Sequence, residues 1–232
     1  MIRSGPARTR EWRFLQLTLF MCAWMLVSPH MQERWLVQVL LQVLLANLVM
    51  VTLWANPQWE RIRNAVIALW IVSLAGSLIA FLPLTPDWRL LGRTAEILSL
   101  IPLLAILAVG ILRFVFRKQH LTSDGILATV AVYLIIAFLF AQVYLLALAW
   151  NPGSFQLPVP VADRPPQLLQ SDMVYFSLVT LATVGYGDIL PHSETARALA
   201  MIEAVIGQFY VAVIVAVFVG MYAAKQNQQP PS

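Results

Sequence analysis

Charge is the scarcest property of this sequence. Asp, Glu, Lys and Arg make up 11% of its 232 residues, where a water-soluble domain carries about 25%. With 60% hydrophobic residues and a mean hydropathy of +0.76, the chain has too little polar surface to cover itself in water. That excludes a soluble enzyme or a freely diffusing binding module. A single cysteine, Cys22, rules out a disulfide framework or a thiolate metal cluster. The three histidines, His30, His120 and His192, stand far apart and do not suggest a metal centre. No candidate catalytic constellation appears, so the chain is not read as an enzyme. The formal charge of +4 would suit nucleic acid, but the cations sit at the ends of apolar runs. They mark a membrane protein, and no nucleic-acid partner is expected.

What is present is a series of apolar runs, over roughly 12–28, 35–56, 63–82, 94–116, 126–150 and 196–224. Each is close to the ~20 residues that cross a bilayer, the first being short. Polar punctuation separates them: "SPHMQER", "NPQWER", "PLTPDWR", "RKQHLTSDG" and a proline-rich stretch over 151–171. With the N-terminus inside, the inner side holds Arg3, Arg8, Arg10, Arg13, Arg61, Arg63, Arg113, Arg117, Lys118 and Lys225. The outer side holds Arg34, Arg89, Arg93, Arg164 and Arg197. That imbalance predicts a multi-pass protein of the cell membrane with both termini cytoplasmic. Residues 1–30 also suit a signal peptide, but "WMLVSPHM" lacks a small-x-small cleavage pattern.

The region between 150 and 196 leaves and re-enters on the outer side, yet residues 173–186 are largely apolar. Such a segment dips into the membrane and returns, which is tolerated only inside protein or beside a water-filled cavity. "SDMVYFSLVTLAT" reads as a short helix with Ser171 or Asp172 as N-cap. Its C-terminal end would point towards the bilayer centre, where its dipole favours a cation. The next residues, Thr183-Val184-Gly185-Tyr186-Gly187-Asp188, must climb out in extended form. Gly185 and Gly187 permit backbone angles that turn successive carbonyls to one side. A row of such oxygens can replace the water around a dehydrated cation. A simple Gly-Tyr-Gly-Asp turn would leave the apolar helix and the preceding threonine without a reason.

"TVGYGD" at 183–188 resembles the selectivity filter of potassium channels, within the order outer helix, pore helix, filter, inner helix over 126–224. The resemblance implies an all-α membrane protein with six transmembrane helices, a re-entrant pore helix and an extended filter. It implies K+ bound as cargo by Thr183, Val184, Gly185 and Tyr186, with Gly187 at the outer mouth and no organic cofactor. Four filter strips are needed, hence a homotetramer surrounded by membrane lipids. Asp188 would accept a hydrogen bond from Tyr175, where the family often has tryptophan. The acid that some bacterial members place four residues before the filter threonine is absent; that position is Val179. Glu203 either snorkels to water and pairs with Arg197 or sits behind the filter, bonded to the pore helix. Gly207 is spaced like the family's inner-helix hinge.

Residues 1–118 resemble a voltage-sensor-like four-helix domain without its gating charges. Between Glu96 and Arg113 the fourth run has no charge, and Pro102 interrupts it. Moving one charge through the membrane field is worth about 2.3 kcal/mol per 100 mV, so steep voltage opening needs many. Weak or no voltage dependence is expected. Gln38, Gln42 and Asn47 form one stripe of the second run, and Gly76 and Ala80 offer a small-residue contact in the third. A short tail, 225–232, leads us to expect the gate in the membrane part. The competing readings are a non-selective cation channel, a non-conducting regulatory subunit and a transporter subunit. The first usually loses the filter tyrosine or second glycine, and the last usually has several repeats per chain.

Overall fold

The computed structural model describes residues 13–27, 34–55, 59–82, 85–117, 123–161 and 165–227. The first four helices are α1 (Arg13–Val27), α2 (Arg34–Ala55), α3 (Glu60–Phe81) and α4 (Pro86–Arg117). They are followed by α5 (Ser123–Trp150), α6 (Pro166–Leu181) and α7 (Glu194–Asn227), with two-residue strands β1 (Phe155–Gln156) and β2 (Leu190–Pro191) flanking α6. His30, His120, the arginines Arg3, Arg8 and Arg10 and the residues after Asn227 lie outside the described residues. α7 continues into the expected tail, through Lys225 to Asn227.

Among the described residues four helices hold spans long and apolar enough to cross a bilayer: Ile62–Phe81, Pro86–Arg113, Gly125–Trp150 and Glu194–Gly220. The apolar stretches of α1, α2 and α6 are shorter: Phe14–Leu26, Leu40–Leu53 and Leu168–Leu181. The chain is a mostly helical membrane protein.

α4 begins eight residues before the expected boundary at 94, because Pro86 is not a breaker there. At the first helical turn the missing N–H costs nothing and the fixed φ suits the helix. Arg89 and Arg93 therefore belong to a helix rather than a loop. Nor does Pro102 interrupt the run: α4 is continuous over 32 residues.

α5 is the central element, apolar all round and therefore buried. It packs against α1, α4, α6 and α7, and Ala128, Ala131, Val132, Ile135, Ala141 and Tyr144 are wholly shielded. α3 and α4 meet backbone to backbone. A Cβ added at Gly76 would lie 2.6 Å from the Gly92 carbonyl oxygen, and one at Gly92 would lie 2.7 Å from that of Gly76. α2 joins this pair through Gln42, whose amide donates to Ser77 Oγ at 3.1 Å. Asn47 of the same expected stripe is exposed.

The proline-rich stretch over 151–171 is partly ordered. Asn151 caps a 3-10 turn at 152–154 by accepting from the Gly153 amide at 3.0 Å. β1 then pairs antiparallel with β2, Phe155 opposite Pro191 and Gln156 opposite Leu190. The Ser154 carbonyl also accepts from the His192 and Ser193 amides, at 2.8 and 3.2 Å. The chain entering α6 is thus tied to the chain leaving the 183–188 segment.

Candidate functional site

α6 starts five residues before the expected cap. Pro165 occupies the N-cap in extended geometry and Pro166 the first helical position. Ser171 and Asp172 lie inside the helix. Its C-terminal end is a Schellman closure. The Val184 amide donates to the Val179 carbonyl and the Thr183 amide to that of Thr180, both at 2.9 Å. That closure requires a left-handed residue after the cap, and Thr183 supplies it with φ +56°. Glycine is usual there; an L-residue in this region costs roughly 1–2 kcal/mol. A β-branched residue held in that conformation marks a place where side-chain chemistry outweighs backbone comfort.

The same hand recurs at alternate residues. Gly185 has φ +58° and Gly187 φ +80°, while the intervening Val184 and Tyr186 have negative φ. The sign of φ thus changes at each successive residue over 183–187. Residues 182–188 are exposed in the single chain, and the strip begins at the C-terminal, electronegative end of α6.

Two sets of contacts hold this strip. At its far end the Tyr175 hydroxyl donates to Asp188 Oδ2 at 2.7 Å. Asp188 Oδ1 accepts from the Ile189 amide at 3.0 Å. The Tyr175 ring stacks on Tyr186, centroids 6.5 Å apart and planes within 3°. The bond from Tyr175 holds the Asp188 carboxyl below the usual carboxylate range, and the same bond pushes the Tyr175 phenol up to about 12.

Behind α6 the carboxyl of Glu203, on α7, is completely buried. It accepts from the Tyr144 hydroxyl of α5 and the Ser177 hydroxyl of α6. Ser177 Oγ also lies 2.8 Å from the Ala137 carbonyl oxygen. Three helices thus converge on one side chain. Burial excludes a snorkelling Glu203, and Arg197 donates instead to the Pro191 carbonyl at 3.3 Å. Tyr144, Phe155 and Phe176 pack edge to face around this junction, with centroids 5.2–5.3 Å apart. Neither Tyr144 nor Ser177 stands out in sequence, because their partner lies 59 and 26 residues away.

Gly207 lies inside an unbroken α7. A Cβ added there would stand 2.4 Å from the Leu181 carbonyl oxygen, so its bare backbone seats the last turn of α6. Beside it, Gln208 Nε2 approaches Thr183 Oγ1 at 3.5 Å. Further along α7 the Tyr210 hydroxyl donates to the Thr129 carbonyl at 2.7 Å, holding that helix to α5.

A family model described as "Ion channel" matches residues 129–224, which span α5 to α7. Protein LctB of Bacillus caldotenax is 33% identical over 130 residues, covering 56% of this chain and 92% of that protein. The potassium channel protein kcv of Paramecium bursaria Chlorella virus 1 is 31% identical over 80 residues, 34% of this chain and 80% of its own length. Together with a helix–strip–helix arrangement over the matched residues, these similarities place the chain in the potassium channel family.

Proposed function

We propose that the chain is the subunit of a homotetrameric, potassium-selective channel that conducts passively and responds weakly or not at all to voltage. The observation that carries this reading is the alternation of φ sign over Thr183–Gly187. It supports a strip whose carbonyls face one way, as a dehydrated K+ requires. K+ would pass between four such strips, held by the carbonyls of Thr183, Val184, Gly185 and Tyr186, with Gly187 at the outer mouth and the Thr183 hydroxyl extending the row inward. One subunit supplies a quarter of each ion's shell, so closed four-fold symmetry completes the site.

Two features favour assembly. Residues 182–188 are exposed in the single chain. α7 also leaves Met201, Ile202, Val205, Phe209 and Val213 exposed along its length, a surface that lipid and neighbouring copies would cover. In this reading residues 126–224 form the pore domain and 1–118 the accompanying four-helix domain, with six spans and both termini cytoplasmic. α1 has 15 helical residues, about 22 Å at 1.5 Å per residue. Against about 30 Å of hydrocarbon it would be a short span, accommodated by local thinning of the bilayer.

The Tyr175–Asp188 bond and the Glu203 junction hold the strip from outside and behind, the latter in place of the acid missing at Val179. Gly207 acts first as the seat of the pore helix; a bend there would draw α7 away from Leu181 and so couple an inner gate to the filter. α4 contains no charge between Glu96 and Arg113, and the Arg113 guanidinium lies over the Trp59 ring, 5.7 Å from its centroid. A cation held on an aromatic face at the helix end is an anchor rather than a mobile gating charge.

The test is the reversal potential of the purified, reconstituted protein between potassium and sodium solutions, swept across voltage. A reversal near the potassium equilibrium potential with a shallow conductance–voltage relation is expected. Equal permeability to the two ions, or steep voltage activation, would overturn the corresponding half of the reading.

A further inference from the structure

Between Ala204 and Gly220 α7 carries one side-chain amide, Gln208, in an apolar run otherwise broken only by the Tyr210 hydroxyl. A carboxamide turned to hydrocarbon would leave its donors and acceptor unpaired, so in a spanning helix such a group faces protein or water. Gln208 is exposed in the single chain. Its Nε2 lies 3.5 Å from the Thr183 hydroxyl oxygen, a long hydrogen bond to the first residue of the 183–188 segment.

Both partners are held in place by other contacts. α7 is fixed on either side of Gln208. The Glu203 carboxyl bonds to α5 and α6, the Gly207 backbone lies against the Leu181 carbonyl, and the Tyr210 hydroxyl donates to the Thr129 carbonyl at 2.7 Å. Groups carried on a rigid, packed element are placed more precisely than groups on loops. Thr183 is fixed by its own amide, which closes α6 on the Thr180 carbonyl at 2.9 Å, and by its left-handed φ of +56°. What remains free is rotation about its Cα–Cβ bond. Oxygen and methyl share that β-carbon, so one rotamer step exchanges them. A donor bonded to the oxygen selects one rotamer, and the hydroxyl oxygen keeps a second lone pair to give.

We propose that Gln208 is a positioning residue for the innermost K+ site, an inference that rests on reading residues 183–187 as a potassium filter. Its amide holds Thr183 in the rotamer that offers K+ the hydroxyl oxygen and keeps the methyl away from the ion. Four-fold symmetry repeats the pair around the axis, so four amides act on one ion. Gln208 does not itself coordinate that ion. Its effect is confined to the inner end of the filter, because Tyr175 and Asp188 hold the outer end separately. Gln208 thus sets how strongly K+ arriving from the inner side is bound and leaves entry at the outer mouth unchanged.

The experiment measures K+ currents of the full chain in excised patches while K+ is varied on one side at a time. In Gln208→Leu, which keeps the bulk and removes the amide, half-saturating K+ on the inner side should rise about three- to tenfold, the worth of one neutral hydrogen bond. Half-saturation on the outer side should stay as in the wild type. Because Gln208 acts through the Thr183 hydroxyl, Gln208→Leu should add nothing in a Thr183→Ala background. If Thr183→Ala carries no current, the inner–outer asymmetry decides alone. If Gln208→Leu fails to assemble, Gln208→Asn, one methylene too short to reach, should weaken the inner side in the same way. Equal changes on the two sides, or effects that add in the double variant, would overturn the proposal. So would a lowered denaturation midpoint with unchanged half-saturation, which would make Gln208 an adhesive between helices. A wild-type reversal potential indifferent to K+ and Na+ would sink the filter reading itself, and it is seen before any variant is made.

Discussion

The Leu181 carbonyl faces Gly207 so closely that a β-carbon on the glycine would lie 2.4 Å from the oxygen. The obstacle is backbone at a helix end, which cannot rotate aside as a side chain can. Gly207→Ala must therefore push α6 and α7 apart, at a cost of about 1–3 kcal/mol for overpacking. Thermal denaturation of the assembled protein should show that loss, with reduced or altered currents. Gly220→Ala, where a β-carbon meets open space, should be neutral or slightly stabilising, by up to about 1 kcal/mol. Equal effects at the two glycines would refute the seat.

Glu203 invites a comparison of shapes. Glu203→Gln keeps an acceptor for Tyr144 and offers a donor to Ser177, which can then donate to the Ala137 carbonyl. Glu203→Ala leaves the Tyr144 hydroxyl without its acceptor beside a void, while Ser177 keeps only the Ala137 carbonyl. The glutamine variant should lose under about 1 kcal/mol and the alanine variant about 2–4 kcal/mol. Denaturation of the assembled protein in detergent measures both.

The bond between Tyr175 and Asp188 has a defined pH signature. Because the folded carboxyl lies below its ordinary value, the bond is fully present above about pH 4 and is lost as pH falls through the lowered value. Potassium selectivity should therefore be flat from neutrality down to about pH 5 and fail only in stronger acid. Tyr175→Phe removes the donor but keeps the stacked ring. It should reduce the K+/Na+ permeability ratio severalfold already at neutral pH and flatten its fall in acid, read from reversal potentials at stepped outer pH.

Arg113→Gln removes the guanidinium over Trp59. The conductance–voltage slope should not change, since no gating charge is lost. A shallower slope in the variant would show that Arg113 moves in the field.

The half matched by the ion channel family, residues 129–224, was largely legible because its signals are local. A glycine pair, a threonine and an aspartate within six residues identify a backbone device, and two long apolar runs bracket it. Helix starts were harder. Pro86 and Pro166 read as interruptions when taken as residue types, whereas at the first helical turn proline lacks nothing it needs. The Glu203 junction was half legible: a carboxyl in an apolar run signals a partner, but only the packing of α5 against α6 brings Tyr144 and Ser177 to it. Gly92 carries no local sign of its role, which depends on Gly76 of the facing helix.

The reciprocal fit of Gly76 and Gly92 fixes more than a distance. A slide of α4 by one turn, about 5.4 Å, would bring Trp88 or Glu96 to the place Gly92 occupies, and neither leaves room for the facing backbone. The contact works as a mechanical detent: α3 and α4 have one register and must travel as a single lever. A helix so clamped is a poor piston even if charges were engineered into it. On the proposed reading, giving this chain steep voltage sensitivity would require freeing that glycine contact as well as adding arginines.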